Sequence, residues 1–440
     1  MAKATPSEAM TAFLNSLPSD FRPTFFPNLS AAAQRLNAAT PERATTDVAV
    51  MLQLLGSAAF YDVDYPKTKP QFPNDHAPHP SWGLEWYYLA CNLEVEGTGG
   101  ADRIGVFVDL VRERAVSLDV QRQSGWSDEE AQIVFSLASA NVATRKDKFT
   151  VRRRSNVQWP IKAPGSVAMS RPGSPFLFRC GPDVLQSSGI SVLPLQVRVD
   201  DGSLLQIDLT VTSPLAPEKA FFLQGDEGLV FPPHPGIYYS WPQLSVSGRV
   251  TASGTTYQVS GLGWIDHQVM MHSPAKPVAP PPSPAQVFDG WSWCGFNLAD
   301  GSAFTAAGFQ ILGKSEPKLP VPLGFHVKRS ADGWHTPTRV FGDVTLGGFI
   351  PMMQNVEMPT DWIWNVADIE FGLPQIDLHA VPWYPRCDVE SENMVVICET
   401  PVDLRWVKDG APAGVGVCET FDFESLGAYQ KRALAYLKST

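Results

Sequence analysis

The chain has 440 residues, of which 44% are hydrophobic and 18% charged, and its 34 basic and 45 acidic side chains leave a net charge of −11. This is enough apolar material for sizeable cores and excludes a disordered chain, while the acidic balance disfavours nucleic acid and anionic membrane as partners. No run reaches the ~18 apolar residues of a membrane-spanning helix, so stable membrane insertion is not expected.

In chain order, residues 1–62 read as a helical N-terminal extension, with Ser7, Ser30 and Thr46 as candidate caps. The start, MAKATPSEAMTAFLNSL, lacks the basic and apolar regions of a secretory signal, and cytoplasmic residence is expected. From about Gly83 the pattern changes to period two with Gly, Pro, Asn and Asp punctuation, first over segments such as 85–95, 104–111, 149–154, 191–198, 204–211, 245–252 and 256–259. A second series covers 291–298, 303–311, 338–345, 376–381, 393–400, 402–407 and 414–423, with 313–321 and 388–393 left as loops and 425–437 as a closing helix. Between the series lies a proline-rich stretch, 273–287, extended and poor in donors. The resulting division is 1–62, a first β domain over 70–272, the linker or loop 273–287, and a second β domain over 288–440. The fold class is predominantly all-β, an antiparallel sandwich or barrel. Six cysteines without a CxxC pair read as reduced, mostly buried thiols.

Two segments carry candidate chemistry. In 72–97, alternation puts Glu85, Tyr87, Leu89, Cys91 and Leu93 on one strand face and Trp86, Tyr88, Ala90 and Asn92 on the other. A carboxylate heading an apolar face must be hydrogen-bonded or neutral, so Glu85 is either a catalytic group or an anchor satisfied by backbone amides or an arginine such as Arg112. In 236–269 a strand, a turn at Ser253-Gly254 and a return strand lead into Trp264-Ile-Asp-His-Gln. There Trp264 and Asp266 share one face and His267 the other, so Asp266 and His267 do not act side by side, and a Ser/His/Asp arrangement lacks local support. No GxSxG, HExxH, Walker A or GxGxxG in a strand-to-helix context occurs. His76 and His79 precede the first strand without a third histidine at metal-site spacing, and no metal and no cofactor are expected.

At these residues the chain resembles the carotenoid 1,2-hydratase (hydroxyneurosporene synthase) and AttH-like family of lipocalin-related barrels. The likeness rests on DHAPHP followed by EWYY at 75–88, YYSWPQLSVSG at 238–248, WIDHQ at 264–268 and WSWCGFNLADG at 291–301, in the family's order over about residues 70–425. EWYY stands where EWWY is commoner, Gln243 where an arginine is frequent, and the proline-rich insertion is long.

The resemblance implies two lipocalin-like barrel domains enclosing an apolar site for a lipophilic molecule. Family members include hydratases of isoprenoid double bonds, a phytoalexin hydratase and Diels-Alder-type pericyclases. The expectation is a cofactor-free hydratase or cyclase of an isoprenoid- or polyketide-type substrate. Asp266, His267 and Glu85 are the catalytic candidates; Trp86, Tyr88, Tyr239, Trp264, Trp291 and Trp293 form the binding wall. Alkene hydration needs a desolvated acid and a stabiliser for the cation, which a protonated Asp266 and aromatic faces would supply. A pericyclase working by shape, and a non-catalytic carrier, are the alternatives; the structural alternative for WIDHQ is that Asp266 and His267 tie the two barrels together through buried hydrogen bonds.

Overall fold

The period-two segments form two curled antiparallel sheets in a computed structural model that describes residues 69–114, 122, 125–129, 132–152, 156–158, 166–225, 227–230, 236–270, 288–311, 318–351, 357–367, 375–384, 388–391 and 395–422. The first sheet runs in the order Lys148–Arg152, Gln132–Ala143, Arg103–Arg114, Leu84–Val95, Thr255–Met270, Gly236–Ala252, Leu205–Thr212, Leu195–Asp201, Asp183–Ser187, Leu177–Cys180 and Val167–Met169. The second runs Lys318–Val321, Phe341–Gly347, Asp361–Ala367, Ile376–Pro382, Val395–Trp406, Pro412–Asp422, Phe288–Leu298, Ala303–Ile311, Leu323–Val327 and Thr338–Arg339. The expected helices before residue 62 and after 424, and the proline-rich stretch, lie outside the described residues. Among those described, no helix is long and apolar enough to cross a membrane.

Each sheet wraps its own core. The inner face of the first carries Tyr87, Leu89, Cys91 and Leu93 beside Val106, Val108 and Leu110, and the second encloses Phe296, Phe304, Trp362 and Trp364. A third cluster, with Tyr88, Ala90, Phe107, Trp264, Trp293, Phe325 and Val417, lies where the sheets face each other. A strand whose two faces are both buried reads as apolar throughout, and Leu84–Val95 is buried from Tyr87 to Leu93. Cys91, Cys180, Cys294, Cys398 and Cys418 are buried thiols.

Several expected boundaries change. Gln132–Ala143, absent from the predicted strands, pairs along the whole of Arg103–Arg114. Its inward face includes Gln132 and Ser136, polar residues that hide the alternation yet are satisfied by Arg112 and Asp183. The expected loops 313–321 and 388–393 contain the strands Lys318–Val321 and Asp388–Ser391, which pair with neighbours already in the sheet. Segments 393–400 and 402–407 form one strand, Val395–Trp406, because Pro401 holds its register opposite Val417.

Neutral amide side chains help to join the sheets, beside an ion pair from Arg103 to Asp403 (2.7 Å). Pro242 interrupts the ladder at a bulge between Trp241 and Leu244, and Gln243 takes a left-handed φ of 55°. This turns its backbone N–H onto Asn297 Oδ1 (2.7 Å), while its side chain donates to the carbonyls of Leu298 and Ser302 (2.9 Å each). Asn297 donates to the Gly263 carbonyl (3.3 Å), and Asn92 to that of Gly416 (2.9 Å).

Candidate functional site

The Leu84–Val95 strand sends alternate side chains to two polar groups on opposite faces of the first sheet. On the inner face, the buried Glu85 carboxylate accepts hydrogen bonds from His267 Nε2 (2.7 Å), His79 Nδ1 (2.8 Å), the His79 backbone N–H (2.7 Å) and Arg112 Nε (2.5 Å). Burial alone would raise its pKa, but the Arg112 guanidinium and His79 hold it well below the usual carboxylate range. Arg112 also donates to the carbonyls of Trp82 and Gly83 and to Gln132. Burial lowers His267, whose Nδ1 meets the Tyr239 hydroxyl at 2.6 Å; that hydroxyl also lies 3.0 Å from His76 Nδ1. Tyr87 stacks on the His267 ring at 4.1 Å.

His79, Glu85 and His267 place three ligand atoms within 4.8 Å of one another, so the third ligand that sequence spacing did not reveal comes from a distant strand. These atoms hydrogen-bond to each other, and Arg112 already balances the Glu85 charge, so the group is satisfied as an ion-pair network.

The other face packs against the second sheet. Cross-strand register lines up Asp109, Tyr88, Asp266 and Ser240 in the first sheet, and Glu399, Glu419 and Trp293 in the second. Asp266 is 3% exposed and accepts hydrogen bonds from Tyr238 (2.7 Å), Trp264 Nε1 (2.7 Å) and Ser240 (2.5 Å). Burial pushes its pKa up to about 7 against the pull of these donors, and Glu419 adds to the rise. Glu399 and Glu419 sit directly opposite and hydrogen-bond to each other. Like charges in that position repel, and burial with mutual repulsion raises Glu399 well above the usual range; burial also raises Glu419. Tyr88 donates to Glu399 (2.7 Å) and Trp291 to Glu419 (2.5 Å).

Aromatic rings close this crevice. Trp293 meets Tyr88 edge-on at 5.6 Å and Trp264 at 6.2 Å. Gly295 makes room for them: a Cβ there would lie 2.6 Å from Trp293 Cη2 and 3.0 Å from Trp264 Cδ2. Gly295→Ala is therefore expected to destabilise the fold by about 1–3 kcal/mol, read from the midpoint of urea unfolding.

Of the residues singled out in the sequence, Glu85, His267 and Tyr239 come together on the inner face; Asp266, Tyr88, Trp264, Trp291 and Trp293 come together between the sheets. Trp86 is partly buried against the intersheet cluster. The two sets do not share one cavity, because alternate residues of a strand point to opposite faces. Sequence reasoning missed Asp109, Tyr238, Ser240, Glu399 and Glu419. A signal existed for the last two: Cys398-Glu-Thr and Cys418-Glu-Thr recur on paired strands.

Asp266 also makes a stability prediction. Its folded pKa of about 7 exceeds the ordinary aspartate value of 3.8, so between these limits the native state binds the extra proton and stability falls as pH rises. The term amounts to roughly 4 kcal/mol and is complete above about pH 7. Denaturation at pH 5 and pH 8 is expected to show a smaller loss of stability with pH in Asp266→Asn than in the wild type, the remainder coming from Glu399 and Glu419.

Two curled antiparallel sheets with an acidic, aromatic crevice between them define a lipocalin-related double-barrel protein. The chain belongs to the AttH-like family, whose model matches residues 63–366. Among solved structures it is similar to a protein described as AttH from Nitrosomonas europaea (18% identity, TM-score 0.59, covering 83% of this chain and 100% of that one). It is also similar to kievitone hydratase from Nectria haematococca (12% identity, TM-score 0.53, 84% of this chain and 99% of that one). No curated protein sequence matches it.

Proposed function

We propose that the protein is an enzyme of lipophilic small molecules, of isoprenoid or polyketide type, that protonates a carbon–carbon double bond from Asp266 and completes hydration or cyclisation at the intersheet crevice. The observation that carries this reading is a buried carboxyl, with three hydrogen-bond donors, set against aromatic faces and opposite a carboxyl pair. Below about pH 7 Asp266 holds the proton that the alkene needs. After transfer, Tyr238, Ser240 and Trp264 stabilise the carboxylate left behind. Tyr88, Trp264, Trp291 and Trp293 offer the cation π-faces worth ~0.5–2 kcal/mol each. For hydration, water adds to the cation and the Glu399–Glu419 pair receives its proton; for cyclisation, a second double bond attacks and a proton leaves to the same pair. In this scheme Glu85 and His267 are anchors of the first barrel rather than catalytic groups.

The scheme uses protein groups alone, without metal or organic cofactor. The fold likeness to kievitone hydratase is compatible with hydration. The test is incubation of the protein with lipophilic metabolites from its source cells, followed by mass spectrometry. The expected result is a species heavier by one water, or an isomer with altered retention. Consumption of no metabolite, with retention of one on the protein, would overturn the enzyme reading in favour of a carrier.

A further inference from the structure

The crevice holds two polar atoms that the scheme above does not use. Three indoles line it, and two have their N–H groups engaged, Trp264 by Asp266 and Trp291 by Glu419. The third, Trp293, is 8% exposed, and its Nε1 has no hydrogen-bond partner among the described residues. Across the crevice, Asp109 Oδ1 is likewise buried without a partner. Both flank Tyr88: Asp109 is its cross-strand neighbour, and Trp293 packs on its ring. A buried polar atom left unpaired costs about 1–3 kcal/mol, and a hydrocarbon ligand would leave both unpaired.

Another unpaired indole, Trp362, lies in the closed core of the second sheet. Trp293 differs because it borders the carboxyl groups, two of which, Asp109 and Glu419, keep part of their surface exposed.

We propose that the substrate is an oxygenated lipophile, and that its carbonyl or hydroxyl oxygen is recognised by the Trp293 indole N–H with Asp109 as the second anchor across Tyr88. The inference rests on the crevice being the lipophile site. It adds that a pure hydrocarbon polyene is the poorer ligand, because it leaves the site's buried polar groups unanswered. Recognition at Trp293 would also fix which double bond faces Asp266.

The test compares two probes on the full chain: geranylacetone, a ketone, and the hydrocarbon of the same skeleton with a methylene in place of the carbonyl. Binding is measured by equilibrium dialysis with gas chromatography. The ketone is expected to bind about tenfold more tightly, as one hydrogen bond in a dry site provides. Trp293→Phe is expected to abolish the ratio of ketone to hydrocarbon affinity, whatever the change in the absolute affinities, and Asp109→Leu, which leaves the indole untouched but removes every donor at 109, to reduce it. Equal affinity of both probes for the wild type would overturn the proposal and leave the lipophile reading intact. A ketone preference that survives in both variants would also overturn it. Failure of both probes to bind would overturn the proposal and the lipophile reading together.

Discussion

Asp266→Asn is expected to lower turnover by about 10²–10⁴-fold while ligand binding persists. The amide keeps the side chain's shape and still accepts a hydrogen bond, but it has no acidic proton. The wild-type rate is expected to fall as pH rises through about 7, where Asp266 loses that proton, and this limb should vanish in the variant. Loss of binding together with turnover would instead assign Asp266 to shaping the crevice. Unchanged product formation would reject the proton-donor role. A pericyclase, which lowers the barrier by holding a reactive conformer, would then be the better reading.

The second large effect concerns folding. Replacing Arg112 with Met leaves the Glu85 carboxylate buried without its strongest compensating charge and strips donors from the carbonyls of Trp82 and Gly83. The expected cost is about 3–5 kcal/mol in chemical denaturation. The double variant Arg112→Met/Glu85→Gln should recover part of that loss, because the neutral amide no longer needs a cation. If single and double variants are equally unstable, the ion pair is not what holds this end of the barrel. The pH dependence has the opposite sign to that of Asp266. Glu85 has a depressed folded pKa, so its contribution is fully present above the ordinary glutamate value and is lost as pH falls through the folded one.

The sequence carried the sheet content well, because strands half-covered by core and half by solvent alternate visibly, as Leu195–Asp201 and Leu205–Thr212 do. It carried Gln132–Ala143 poorly, since the inward Gln132 and Ser136 make sense only once Arg112 and Asp183 are beside them. The same limit applies to the candidate site. Alternation separates Asp266 from His267 without any knowledge of the fold, and the need to satisfy a carboxylate on an apolar face points to backbone amides or an arginine such as Arg112 beside Glu85. It cannot bring the 399 and 419 strands against Tyr88, because that juxtaposition depends on how two sheets face each other. The His79–Glu85–His267 group was hidden for a related reason, as residues nearly two hundred positions apart meet only after the first and last long strands of the sheet pair.

The amide fastening between the sheets has a consequence for how the crevice behaves. Asn92, Gln243 and Asn297 donate to main-chain carbonyls, and none of these groups gains or loses a proton in ordinary water. The carboxyls a few residues along the same strands do. Acidification or neutralisation therefore changes the charge inside the crevice without changing these amides, so this part of the scaffold does not answer to the variable that governs the chemistry. The Tyr88–Glu399 hydrogen bond and the Arg103–Asp403 pair, which also cross between the sheets, are the links that a shift in pH can alter.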